Sequence, residues 1–267
     1  MPKPEKPSFN ENHRDYGYID AASSKGKIFK IKKGQLIAGH TVGIMLLDVW
    51  YPLLPGNVVN ACTYDFPVRM RHVPGADQRR MHGADDTLLD SLIETGKLLE
   101  MEGCRVICGA CGYFGHFQSR VAAALDVPVM LSSLIQIPWI KTALKPDQKV
   151  GLVCADGPSL TPGIWESCGV NPDDVIFKEV PRGGEFTAFL KSEWGNFDND
   201  KIREEVVGTA MDLAANPEVG AILLECSDMP PYAADVQRAT NLPVFDFITL
   251  IKYAHSAVAQ KPYEGYM

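Results

Sequence analysis

From Val42 onward, short apolar runs alternate with longer stretches whose apolar residues recur every three to four positions. "VGIMLLD" (42–48), "RVIC" (105–108), "VGLVCAD" (150–156) and "GAILLEC" (220–226) are almost unbroken apolar segments, the pattern of strands covered on both faces. Between them, "DDTLLDSLIETGKLLEMEG" carries Leu88, Leu92, Leu98 and Leu99 at helical spacing. "NDKIREEVVGTAMDLAANPE" does the same with Ile202, Val206, Val207, Met211 and Leu213. Strands alternating with amphipathic helices predict an α/β protein with mostly parallel sheets. Residues 1–37 are polar, contain Pro and Lys, and read as an N-terminal extension ahead of this core.

The pattern occurs twice. "VGIMLLD" and "VGLVCAD" both begin Val-Gly and end in aspartate at the same internal spacing. "RVICGACGYFGHFQSRVAAALDVPV" and "GAILLECSDMPPYAADVQRATNLPV" both run strand, cysteine, helix, then Pro-Val. Cys111 to Pro128 and Cys226 to Pro243 are each 17 positions apart, with no gap needed. An internal repeat of this length predicts two similar α/β domains facing one cleft. The expected boundaries are 38–136 plus 244–267 for the first domain and 137–243 for the second, with a closing strand and helix from the last segment.

The repeat decides how the cysteine cluster "CRVICGAC" is read. The spacing of Cys104, Cys108 and Cys111 suggests an iron–sulfur or zinc site. In the second copy, however, Cys104 aligns with Val219 and Cys108 with Leu223, and only Cys111 meets a cysteine, Cys226. Cys104 and Cys108 are therefore read as packing residues of a buried strand, and no metal is expected. Cys111 and Cys226 sit where a strand ends and a helix begins, the edge at which parallel α/β sheets bind ligands. Two thiols flanking one cleft can remove a proton from one face of a carbon and return it on the other.

Composition narrows the partners. A net charge of −7 argues against a general nucleic-acid or anionic-membrane binder. The basic run at 25–34 reads as a solvated edge. No apolar run approaches the roughly 20 residues of a membrane span, and the N-terminus has no signal-peptide character. Seven cysteines, mostly within apolar segments, suit a reducing cytoplasm. Walker, GxGxxG, HExxH and Gly-x-Ser-x-Gly motifs are missing.

"ACGYFGHFQ" with "VPVMLSSLIQIP", and "LLECSDMPPYA" with "LPVFDFI", resemble the two signature regions of the aspartate/glutamate/hydantoin racemase superfamily. "GIMLLDVWYPLLPGN" and "FPVRMRHVPGAD" resemble the opening of one branch of it. The resemblance covers roughly residues 39–256. It implies two pseudo-symmetric α/β domains and cofactor-independent proton transfer at a carbon next to a carboxylate or carbonyl. By position it implies Cys111 and Cys226 as acid/bases, Asp48 assisting the first and Asp228 the second. Gly112-Tyr113 stands where amino-acid racemases carry Asn-Thr, and Cys-Ser-Asp where they carry Cys-Thr-His or Cys-Thr-Glu, which disfavours glutamate or aspartate as substrate.

The expected function is thus a cofactor-independent racemase or epimerase acting on a small carboxylate or amide. The alternatives are a maleate-type isomerase or decarboxylase of the same superfamily, or a small-ligand binder that kept the cleft. Gly112, Ser132, Ser133 and Ser227 are candidate substrate contacts, with a helix-capping role left open for the serines at 132 and 133. Asp156, the repeat-mate of Asp48, reads as a cap or turn residue, and His116 as packing. His72 and His82 carry no spacing signal. A homo-oligomer is allowed for.

Overall fold

The computed structural model describes residues 18–29, 33–191 and 196–267, so residues 1–17 and 30–32 of the expected extension lie outside the described residues. The first half runs β1 (Val42–Leu46), β2 (Val68–His72), α1 (Gln78–His82), α2 (Leu89–Met101), β3 (Val106–Gly109), α3 (Gln118–Ala124), β4 (Val129–Met130) and α4 (Ile137–Thr142). The second half begins with β5 (Lys149–Cys154), α5 (Pro162–Ser167), β6 (Val175–Glu179), α6 (Glu185–Leu190) and α7 (Asn199–Ala214). It continues with β7 (Val219–Leu224), α8 (Ala233–Thr240), β8 (Val244–Phe245) and α9 (Phe247–Val258).

Two four-stranded sheets result, ordered β2-β1-β3-β4 and β6-β5-β7-β8, with every pairing parallel. The order is the same in both, so the sequence repeat is a repeat of topology. The paired Val-Gly openings have a common cause. A Cβ at Gly43 would lie 2.9 Å from the Ile107 side chain, and one at Gly151 would lie 2.8 Å from Val219. In both sheets the glycine lets the central strand approach its neighbour's side chains.

Strand alternation sends side chains to two different layers. Met45 and Ile107 join Leu92 and Leu99 of α2 on one face of the first sheet. Val42, Ile44, Val106 and Cys108 meet Phe247, Ile251 and Ala254 of α9 on the other. The last helix thus returns to the first sheet, started by a capping box in which Asp246 accepts from the Thr249 amide and Thr249 bonds back. The closing strand expected for the first half pairs elsewhere: Val244–Phe245 lies beside β7 as the outer strand of the second sheet.

The second sheet packs Val153, Ile222 and Leu224 against Ile202, Val206 and Ala210 of α7. Its other face, with Leu152, Cys154, Ala221 and Leu223, shares one continuous core with Met45, Tyr113 and Phe114 of the first half. Both sheets therefore rest on a common apolar layer, and the carboxyl ends of β3 and β7 converge. Among the described residues, no helix is long and apolar enough to cross a membrane.

Candidate active site

Cys111 and Cys226 each lie two residues past the last residue of their strand, β3 and β7. Both are about 8% exposed, and both line a cavity of about 190 Å³ between the two sheets. That volume suits a small metabolite rather than a drug-sized ligand, for which pockets run to roughly 300–1,000 Å³. The cavity is also lined by Leu46, Val49, Tyr51, Asn57, His82, Gly112, Tyr113, Glu225, Ser227 and Asp228.

The three clustered thiols do not converge. Cys104 is buried in the layer toward α2, Cys108 in the layer toward α9, and only Cys111 reaches the cavity. Burial pushes the thiols of Cys104 and Cys108 up to about 12, so both stay protonated in their packing layers.

The two cavity cysteines have unequal surroundings. The Cys226 thiol donates to Oδ2 of Asp228 at 3.5 Å. Asp228 is itself only 7% exposed. It also accepts from the Tyr51 hydroxyl at 2.9 Å and from the Asn57 amide. Burial raises the Asp228 carboxyl, while these three donors oppose the rise. Burial, then the Asp228 and Glu225 carboxyls, raise the Cys226 thiol well above its ordinary value. A carboxylate and a thiol that both resist carrying charge, joined by one hydrogen bond, form a pair able to pass a proton between them. Burial and then Glu225 likewise raise Cys111, but the hydrogen bonds that offset the rise come from the Tyr113 and Phe114 backbones.

Tyr51 and Asn57 reach across from the loop after β1, whose position is fixed by the second half. The Val58 amide bonds to the Ser227 carbonyl at 3.4 Å. Ser227 Oγ in turn donates to the Ala110 carbonyl at 2.9 Å, tying the two cysteine turns together. His82 leans on the Tyr113 ring, 4.2 Å between centroids, and its Nδ1 lies 3.1 Å from Asp156 Oδ2. The Tyr113 hydroxyl donates to the Asp156 carbonyl at 2.9 Å and accepts from the Asp156 amide at 2.8 Å.

The structure brings together Cys111, Gly112, Cys226, Ser227 and Asp228 of the candidates read from sequence. It separates the others. Asp48 is exposed, accepts from Trp50 Nε1 at 2.9 Å and is not among the cavity-lining residues, because the chain turns outward after Leu47. Ser132 is fully buried and caps the turn at 133–136 by accepting from the Leu134 amide. Ser133, also fully buried, donates to the Glu225 carbonyl at 3.0 Å. Both serines brace the site from behind. Tyr51, Asn57, His82 and Glu225 were not anticipated. For Glu225 a signal existed, a lone acidic residue closing the apolar run "GAILLEC"; the loop residues and His82 have no periodic pattern to betray them.

No family model matches the chain. Among curated proteins it is 32% identical over 246 residues to dimethylsulfoniopropionate lyase 3 of Emiliania huxleyi, covering 86% of this chain and 63% of that one. It is 31% identical over 219 residues to the dimethylsulfoniopropionate lyase of Durusdinium sp. clade D, covering 78% of this chain and 71% of the other. The chain belongs to the dimethylsulfoniopropionate lyase family. It spans 63% of the length of the Emiliania huxleyi lyase. This member of the lyase family shares its fold with allantoin racemase from Pseudomonas fluorescens, at TM-score 0.54 and 13% identity over 85% of this chain and 100% of that chain. Arylmalonate decarboxylase matches at TM-score 0.51 and 13% identity, over 85% of this chain and 95% of that chain. The likeness is one of fold, and that fold is the one its signature regions imply. Relatives named as lyases stand nearer the decarboxylase alternative than the racemase expectation.

Proposed function

We propose that the protein is a lyase that removes the proton α to the carboxylate of a small sulfonium carboxylate of the dimethylsulfoniopropionate type. The single observation that carries this reading is the Cys226–Asp228 hydrogen bond facing a cavity whose described lining includes no Lys or Arg. A dicarboxylate would call for cationic partners. A substrate whose leaving end is a cation instead suits a wall of carboxyl and aromatic groups such as Asp228 and Tyr51. The lyase names of the relatives point the same way.

In this reading Asp228 takes the thiol proton of Cys226, and the resulting thiolate removes the α proton. The Cα–H electrons form the Cα=Cβ double bond, and the Cβ–S bond breaks with its electrons going to sulfur. Neutral dimethyl sulfide and acrylate leave, and the proton held by Cys226 and Asp228 passes to solvent. The departing sulfide needs no proton, so this chemistry asks for one strong base rather than two equivalent ones. Cys111 is then a neutral thiol against the bound substrate.

The test is headspace detection of dimethyl sulfide from dimethylsulfoniopropionate, run in D2O with NMR of the residual substrate. Wild type should release sulfide and Cys226→Ala should lose about 10²–10⁴-fold. Deuterium uptake at Cα without sulfide release would replace the lyase reading with a racemase-type exchange, the chemistry the second cysteine would serve.

A further inference from the structure

Glu225 is the one carboxyl of the cavity that the lyase chemistry above leaves unused. The residue has no solvent exposure, yet among the described residues its Oε1 has no hydrogen-bond partner. Its backbone is pinned on both sides: the amide donates to the Val153 carbonyl at 2.9 Å, and the carbonyl accepts from Ser133 Oγ at 3.0 Å. Oε2 accepts from the Ala155 amide at 3.3 Å. Across the cavity, room for the carboxyl exists because residue 112 is glycine: a Cβ there would fall inside the Glu225 side chain and 2.8 Å from its carbonyl oxygen. Gly112 follows Cys111 and Glu225 precedes Cys226, so the carboxyl lies between the two cysteine turns.

An ionised carboxylate fixed in this position would carry a charge that no cation in the described lining compensates. Protonated, it becomes a hydrogen-bond donor. A substrate carboxylate entering the same cavity meets no Lys or Arg in the described lining and so needs neutral donors.

We propose that Glu225 stands in the cavity as a neutral carboxylic acid whose O–H donates to the substrate carboxylate and tightens on it as deprotonation at Cα turns that carboxylate into an enediolate. The role rests on the lyase reading for its substrate class. It deepens that reading by naming what binds the anionic end and what stabilises the charge that develops there.

The electrostatics agree with the geometry. Burial raises the Glu225 carboxyl to about 8, with Asp156 and Asp228 adding to the rise and the Ala155 amide and Tyr113 hydroxyl opposing it. The titratable groups facing it are Cys111 and Tyr113 from the first half and Cys154, Asp156, Cys226 and Asp228 from the second, with His82 engaged on Asp156. None of these is a fixed cation that would hold Glu225 ionised.

Infrared difference spectroscopy with propionate, a carboxylate without a leaving group, tests this without turnover. Wild type at neutral pH should show a protonated-carboxyl C=O band that is lost in Glu225→Gln, shifts when propionate binds, and titrates away near 8. A missing band, or one that propionate does not move, overturns the proposal whether or not the enzyme turns over. In kinetics, Glu225→Leu should raise KM for dimethylsulfoniopropionate and Kd for propionate by about 10–100-fold, the worth of one hydrogen bond to a charged group. Glu225→Gln keeps a donor and should stay within a few-fold of wild type at neutral pH while losing the rise in KM above pH 8. Unchanged propionate binding in Glu225→Leu also overturns it. A band that moves with propionate in a protein that never releases dimethyl sulfide would instead sink the lyase reading and leave the donor standing.

Discussion

Replacing Asp228 by Asn separates the proposed chemistry from the fold. The carboxyl accepts from Cys226, Tyr51 and Asn57, so Asn of nearly the same shape keeps one acceptor oxygen and presents an NH2 group to at least one donor. What it loses entirely is the ability to take the Cys226 proton. General-base assistance is worth about 10²–10⁴-fold, or about 3–5 kcal/mol of barrier. Stability should move differently. Burial raises the Asp228 pKa above its usual value, so the folded state resists ionising it; that group weakens the fold as pH rises from about 3.8 through its folded pKa. Asn has no such charge. Near neutral pH, Asp228→Asn should melt at the wild-type temperature or above it, and the gain should vanish in acid below about 3.8, where Asp228 is protonated in both states. The assay pairs headspace dimethyl sulfide with thermal melts at neutral and acidic pH, and adds iodoacetamide labelling of Cys226. A variant with kcat/KM within tenfold of wild type and unchanged labelling of Cys226 would refute the thiol–carboxyl pair.

Three further outcomes follow from the same geometry. Cys226→Ser should lose more activity than Cys111→Ser, because only Cys226 bonds to a carboxylate, and equal losses in initial sulfide release would argue for a symmetric two-thiol mechanism. Gly112→Ala should cost about 1–3 kcal/mol in a denaturant melt and lower turnover, since the added methyl overlaps the Glu225 carboxyl. Asp48→Ala should change stability by less than about 0.5 kcal/mol and leave turnover near wild type, because that side chain is exposed and, among the described residues, bonds only to Trp50.

The fold was legible because its signals are local and periodic. Val-Gly openings, continuous apolar strands and three-to-four-residue helix spacing each reflect a contact made within one half, and the repeat supplied the topology of both. Part of the site was legible for the same reason: Cys111 and Cys226 occupy equivalent strand ends, and position relative to a strand survives in sequence. What stayed hidden depends on side-chain direction in irregular segments. Asp48 ends its strand as the repeat suggests, but the chain turns outward there and carries the carboxyl to Trp50. Tyr51 and Asn57 act on a residue more than 170 positions away, through a loop whose course is set by contacts with the second half. Ser132 and Ser133 fit both a capping and a binding pattern, and burial selected capping and bracing.

The repeat is faithful in fold and broken in chemistry, and the break has a direction. A racemase must take a proton from either enantiomer, so each of its two acid/bases benefits from comparable assistance. Here Asp48, which the family resemblance implies as the aid to Cys111, lies outside the cavity, while Asp228 remains bonded to Cys226 under two further donors. The place left beside Cys111 is taken by Glu225, which reaches over from the second half through the gap at Gly112. On the reading proposed here, two thiols of equal ancestry in the fold have become a base and a spectator. Glu225 serves the substrate's carboxylate instead. Elimination of a neutral sulfide requires that asymmetry, because one proton is removed and none has to be returned to the carbon.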